Sequence, residues 1–124
     1  ARGGVSEAAD RRAAVAGGSS TLYTDAGGAA AGAGVVVTDT WGWMGKEEEK
    51  SARIRDLGGY KVTPETMTLA DPEAIFIHCL PADRGYEVDS SVIDGPQSVV
   101  WDEAENRLHA QKALLVWLLG KKDA

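Results

Sequence analysis

Val35-Val36-Val37 is an unbroken β-branched run that ends at once in Thr38-Asp39-Thr40. β-Branched side chains favour strands. A strand with no polar alternation is the pattern of one buried on both faces of a parallel sheet. A second run, Ala74-Ile75-Phe76-Ile77-His78, has the same character and ends in Cys79-Leu80-Pro81. A third strand is expected over Ser98 to Trp101, and Tyr60 to Val62 reads as a shorter one. Helical stretches separate them. One runs from about Lys46 to Leu57 and stops at Gly58-Gly59. Another runs from Pro64 to Ala70, with proline suited to its first turn. Val88 to Ile93 reads as a helical turn closed by Gly95-Pro96, and Asp102 to Leu119 as the longest helix. Strands alternating with helices imply an α/β fold with a mostly parallel sheet, that is, a Rossmann-like three-layer domain. In such sheets ligands bind beyond the carboxyl ends of the strands. Thr38-Asp39-Thr40-Trp41 and His78-Cys79-Leu80-Pro81 occupy those positions.

Residues 1–34 differ from the rest, being more than half Ala and Gly. Val5 to Ala16 is expected to be a helix with Ser6 as N-cap and Gly17-Gly18 as its stop. Thr21 to Thr24 reads as a short strand. Ala26 to Ala33 reads as a short helix, weakened by roughly 1 kcal/mol for each glycine. This region buries little and is expected to be the least stable part. The chain starts at Ala1 rather than Met, directly in helix-forming sequence, which leads us to expect a piece of a longer protein. The run Lys46-Glu47-Glu48-Glu49-Lys50 reads as a solvated helix start, its acids well placed for the helix dipole.

A length of 124 residues suits one domain. The formal net charge of −6 argues against a sequence-independent nucleic-acid binder, which needs Lys and Arg to neutralise phosphates. It equally disfavours a polybasic membrane patch. The longest apolar run, Ala113 to Leu119, is too short to span a bilayer. There is no signal-peptide pattern. A single cysteine, Cys79, excludes an intrachain disulfide and fits a reducing, cytoplasmic setting. One Cys and two distant His show no metal-ligand spacing, so no metal is expected.

Three places carry possible chemistry. A thiol just past a buried strand is either a nucleophile or positioning group, or simply a buried structural thiol beside a capping His78. Adjacent strand residues point to opposite faces, which leaves His78 badly placed as a base for Cys79. Asp39, at the other strand end, either holds a ligand amine or caps a turn. Arg107, in the first turns of the last helix, either receives an anion or joins a surface salt-bridge network with its acidic neighbours.

The stretches Asp39-Thr40-Trp41 with Met44-Gly45, His78-Cys79-Leu80-Pro81 with Arg84-Gly85, and Trp101-Asp102-Glu103-Ala104-Glu105-Asn106-Arg107 with the helix that follows are similar, in that order, to ornithine carbamoyltransferase. The similarity runs from about residue 33 to 119. The family transfers a carbamoyl group from carbamoyl phosphate to the side-chain amine of ornithine, giving citrulline and phosphate in arginine metabolism, without metal or organic cofactor, and works as a trimer or an assembly of trimers. The resemblance implies that residues 1–124 are the carboxy-terminal, ornithine-binding domain, incomplete at its amino end, with the carbamoyl-phosphate domain absent. It implies that Asp39 holds the α-amino group of ornithine and that Met44 makes a main-chain contact in the substrate loop. It implies that Cys79 and Leu80 line the reacting centre, with Leu80-Pro81 in the cis form, and that Arg107 binds carbamoyl phosphate. Cys79 and Arg107 are thus the catalytic candidates, and a Cys79 thiolate is a candidate to desolvate the amine or to take up its proton. Asp39, Trp43, Met44, Cys79, Leu80 and Arg107 are the substrate-binding candidates.

Trp43 stands where the family usually has Ser, and Gly34 where it often has Asp. The family's Ser-Thr-Arg-Thr phosphate loop does not occur in this chain, so the chain by itself is expected to be nearly inert. Putrescine carbamoyltransferase is the nearest enzymatic alternative, while Cys79 disfavours the aspartate enzyme, which has Pro there. A non-catalytic module that binds an amino acid or self-associates is the alternative of a different class.

Overall fold

The computed structural model describes residues 3–42 and 47–120. Helix α1 runs Gly3–Val15, so Ser6 lies inside its first turn and is not the expected cap. Gly17, at φ +77°, ends it. Its N–H bonds to the Ala14 carbonyl at 3.2 Å, and that of Gly18 to the Ala13 carbonyl at 2.8 Å. This paired closure favours glycine at the left-handed position. Thr21 to Thr24 forms no strand. Leu22 and Tyr23 are exposed, and without a neighbouring strand the segment gains no ladder. Asp25 caps the short helix α2, Ala26–Ala30, by accepting from the Gly28 N–H.

Strand β1, Val35–Thr38, pairs in parallel with β2, Ile75–His78, in the register Val35↔Ile75 to Thr38↔His78. Between them come α3, Glu47–Leu57, a single 3₁₀ turn at Gly58–Tyr60, and α4, Pro64–Leu69. Thr63 caps α4 in a reciprocal box with Thr66, and Pro64 occupies its first turn. The short strand expected at Tyr60 to Val62 is reduced to one bridge, Val62 to Val88. Helix α5 is Ser90–Ile93 and α6 is Val100–Gly120. The element order and the parallel pairing make this an α/β, Rossmann-like domain.

Two expectations about the strands need correction. The stretch Ser98 to Trp101 supplies one parallel bridge, Ser98 to Phe76, and α6 already begins at Val100. Val100 is fully buried, and Asp102 and Glu103 sit in the first turn, where the helix dipole favours acids. Nor is β1 buried on both faces: Val36 is 8% exposed, while Val35 and Val37 are 50% and 63% exposed. Among the described residues β1 pairs only with β2. Side chains alternate along a strand, so Val35 and Val37 face outward together with Ile75, which is also exposed.

The core lies on the other face. Phe76, Val88 and Val100 are fully buried, with Val36, Val62, Met67, Val92 and Ile93 around them. It joins β1, β2, α4, the end of α5 and the start of α6, and so fixes where the two strand ends stand. Among the described residues no helix is long and apolar enough to cross a membrane.

Candidate active site

Asp39 follows β1 and Cys79 follows β2. Because Thr38 and His78 are register partners, the next residue on each strand is brought to the same carboxyl edge. The Cys79 thiol donates to Asp39 Oδ1 at 3.1 Å. The Thr40 N–H donates to the same oxygen at 2.7 Å. Both residues are exposed, so the reading of Cys79 as a buried thiol does not hold.

These bonds set the protonation of the pair. The thiol hydrogen bond, and then the Thr40 N–H, hold the Asp39 carboxyl below its ordinary range. The same contact with Asp39, reinforced by desolvation and by the negative charges of Asp39 and Glu103, pushes the Cys79 thiol up. A hydrogen bond to a charged acceptor favours the acceptor's charged form and the donor's neutral form. The expectation of a Cys79 thiolate is therefore corrected: the site holds a carboxylate and a neutral thiol.

His78 points the other way and is buried. Its Nδ1 accepts from the Leu80 N–H at 2.9 Å, so it acts on the backbone beside Cys79 and not on the thiol. Leu80 has φ +51°, rare for a residue with a side chain, and the Leu80-Pro81 bond is cis. The His78 N–H donates to Glu103 Oε2 at 2.9 Å. Glu103 thereby ties the end of β2 to α6. Arg107 lies one helical turn further on, a spacing that keeps it on the same side of the helix.

Cys79, Leu80, Pro81, Arg84, Trp101 and Arg107 line one open concavity. Among the described residues no carboxylate pairs with Arg107, while the neighbouring Glu105 faces His109 at 3.3 Å. Arg84, in contrast, is forked onto Asp94, with Nη2 to Oδ1 at 2.9 Å. The structure thus gathers Asp39, Cys79, Leu80 and Arg107 around one edge. Trp43 and Met44 lie outside the described residues.

Two acids escaped the sequence reading. Glu103 stood in the quoted helix block, yet nothing in its spacing pointed to the His78 backbone. Glu87 is fully buried, and its Oε1 accepts from the Asp83 N–H. In sequence it looks like any loop glutamate; only its position before the buried Val88 hinted at an inward direction.

Residues 2–118 match the family model for the aspartate/ornithine carbamoyltransferase Asp/Orn binding domain. The ornithine carbamoyltransferase of Clavibacter michiganensis subsp. michiganensis is 68% identical over 111 residues, which is 90% of this chain and 36% of that protein. The solved ornithine carbamoyltransferase of Pyrococcus furiosus superposes with a TM-score of 0.84 at 47% identity, over 90% of this chain and 36% of that one. The anabolic enzyme of Campylobacter jejuni gives 0.85 at 38% identity, over 94% and 38%. The chain thus spans little more than a third of the length of the relatives it matches. With a family model covering nearly its whole length, and two parallel strands delivering Asp39 and Cys79 to one edge, this chain belongs to the aspartate/ornithine carbamoyltransferase family, as its Asp/Orn binding domain.

Proposed function

We propose that this chain is the ornithine-binding part of an ornithine carbamoyltransferase, and that the carbamoyl-phosphate half of the site is supplied by residues outside it. The observation that carries this is the Asp39–Cys79 contact at 3.1 Å, beside a concavity that Arg107 lines. The relatives' names support ornithine as the acceptor.

In this reading the Asp39 carboxylate, kept ionised by its two donors, receives the α-ammonium of ornithine. A charge-assisted bond of that kind fixes orientation as well as affinity. The side-chain amine comes to Cys79 and the Leu80 carbonyl. A free amine of this type has a pKa of about 10.4 and must lose its proton before attack. Cys79, itself protonated, serves as a neutral, poorly hydrating neighbour that disfavours the ammonium form. The amine nitrogen bonds to the carbamoyl carbon, the bond from that carbon to the phosphate oxygen breaks, and the phosphate leaves carrying the proton that the nitrogen gives up. Arg107 meets the anionic donor and the charge that develops on it. Trp43 and Met44 are the further candidates to contact ornithine. A homotrimer with sites between subunits, in the cytoplasm, completes the proposal.

The test is the full-length parent, purified and supplied with carbamoyl phosphate and, separately, ornithine, putrescine and aspartate. Citrulline formation from ornithine, well above the other two acceptors, is expected. Preferential carbamoylation of putrescine, or none of ornithine, would overturn the reading.

A further inference from the structure

Behind the exposed Cys79 lies a buried polar pair that the proposed chemistry does not use. His78 is 1% exposed and Glu87 is fully buried. Their closest approach is His78 Nε2 to Glu87 Oε1 at 3.4 Å, an ion-pair separation without hydrogen-bond geometry. His78 Nε2 and Glu87 Oε2 have no hydrogen-bond partner. Such a pair is a poor way to stabilise a fold: charged and polar groups removed from water need full partnering, and an apolar pair of similar volume commonly does as well or better. What the two groups do hold is backbone. His78 Nδ1 accepts the Leu80 N–H, which places the ring's proton on Nε2, facing Glu87. Glu87 Oε1 accepts the Asp83 N–H. The Glu87 carbonyl is in turn anchored by the Val62 N–H at 2.9 Å, and Val62 belongs to the core. Between these fixed points lies Leu80 at φ +51°. A non-glycine residue stays in that region only when its surroundings hold it there.

We infer that the His78–Glu87 pair is a positioning device that holds the Cys79–Leu80 turn, and so the thiol and the Leu80 carbonyl, in one orientation toward the acceptor amine. That Cys79 and Leu80 face an acceptor amine rests on the proposed function; the mechanical link itself runs from core to Glu87 to His78 to Leu80. The two residues act on the reaction through the turn and do not touch the substrate.

The test is a double-mutant cycle in the full-length parent, with Glu87→Met, His78→Asn and both together. Met fills similar space but accepts no hydrogen bond. Asn retains a local acceptor for the Leu80 N–H, as in an Asx turn, but is too short to reach Glu87. Two quantities are read: kcat and KM for ornithine, and the rate at which iodoacetamide alkylates Cys79, followed on its peptide by mass spectrometry. Each single variant is expected to lower kcat by about tenfold or more, as loss of alignment does, while the ornithine KM moves by less than about threefold. Each is also expected to change the Cys79 alkylation rate. The double variant should be no worse than either single one, because the same link is cut. Glu87→Gln, which retains the acceptor, should stay close to the unsubstituted protein. Additive losses, or an unchanged kcat and alkylation rate in the single variants, would overturn the inference. If Glu87→Met does not fold, His78→Asn against Glu87→Gln carries the same comparison, and equal behaviour of the two overturns it. Failure of the unsubstituted protein to make citrulline would sink the proposed function alone, since the alkylation rates still report on the link.

Discussion

Cys79 gives its thiol hydrogen to Asp39 across 3.1 Å, joining the residue after one strand to the residue after its parallel neighbour. The contact is polar, exposed and between chain positions forty residues apart. It makes Asp39 the charged member of the pair and Cys79 the neutral one.

Asp39→Asn should therefore raise the reactivity of Cys79 near neutral pH. The carboxylate favours the protonated thiol and raises its pKa. Removing the negative charge lowers that pKa toward the free-thiol value of about 8.5, and the thiolate is the nucleophile. The pH profile of Cys79 alkylation should shift to lower pH in the variant. A profile that stays in place would mean that the contact does not govern the thiol.

Arg107→Ala in the full-length parent should reduce kcat/KM for carbamoyl phosphate by about 10²-fold or more, the scale of losing one donor to developing charge. Arg107→Lys should restore little of it, because the planar fork is lost. Steady-state kinetics with carbamoyl phosphate varied would check both. A lysine variant as active as the parent would reduce Arg107 to a point charge.

Phe76→Ala should cost about 3–5 kcal/mol, since a fully buried ring leaves a cavity in the only core cluster found among the described residues. Val37→Ala, at a side chain 63% exposed, should change stability by no more than about 0.5 kcal/mol. Urea titration of each variant gives the comparison. Similar losses for the two would mean that the open face of β1 is covered in solution.

The chain on its own should self-associate through α6. Leu108, Leu115, Val116 and Leu119 are 67%, 59%, 64% and 66% exposed, and Trp101 is 62% exposed. An apolar surface of that extent is rare on a monomer. Sedimentation velocity at rising concentration should show species larger than 13.1 kDa, and Leu115→Glu with Leu119→Glu should shift the population toward monomer. A monomer at all concentrations would mean that the helix folds back onto its own sheet.

Several features were legible in the sequence because their causes are local. The β-branched run Val35-Val36-Val37 and the run before His78 form strands where expected. Gly17 stops α1 because only a left-handed residue closes that turn, and Thr63-Pro64 opens α4 by capping. The edge on which Asp39 and Cys79 meet also followed, once both strands ran parallel with one residue to spare. The Asp39-Thr40-Trp41, His78-Cys79-Leu80-Pro81 and Glu103 to Arg107 motifs carried the family.

Other features depend on neighbours that no local pattern specifies. A strand needs a partner for its ladder. That is why Thr21 to Thr24 stays irregular and why Ser98 contributes a single bridge before α6 takes over. A sheet face needs a layer packed on it, and among the described residues none covers Val35 and Val37. The thiol's protonation came from a carboxylate brought to it by strand register, and its sign was opposite to the thiolate expected from chemistry alone. Glu87 was invisible as the buried partner of His78, because its burial is created by packing across a turn. Residue types and short-range geometry determined which segments are strands, helices and caps. Only the tertiary structure decided which acid faces which donor, because electrostatic partnership depends on distance in space and not along the chain.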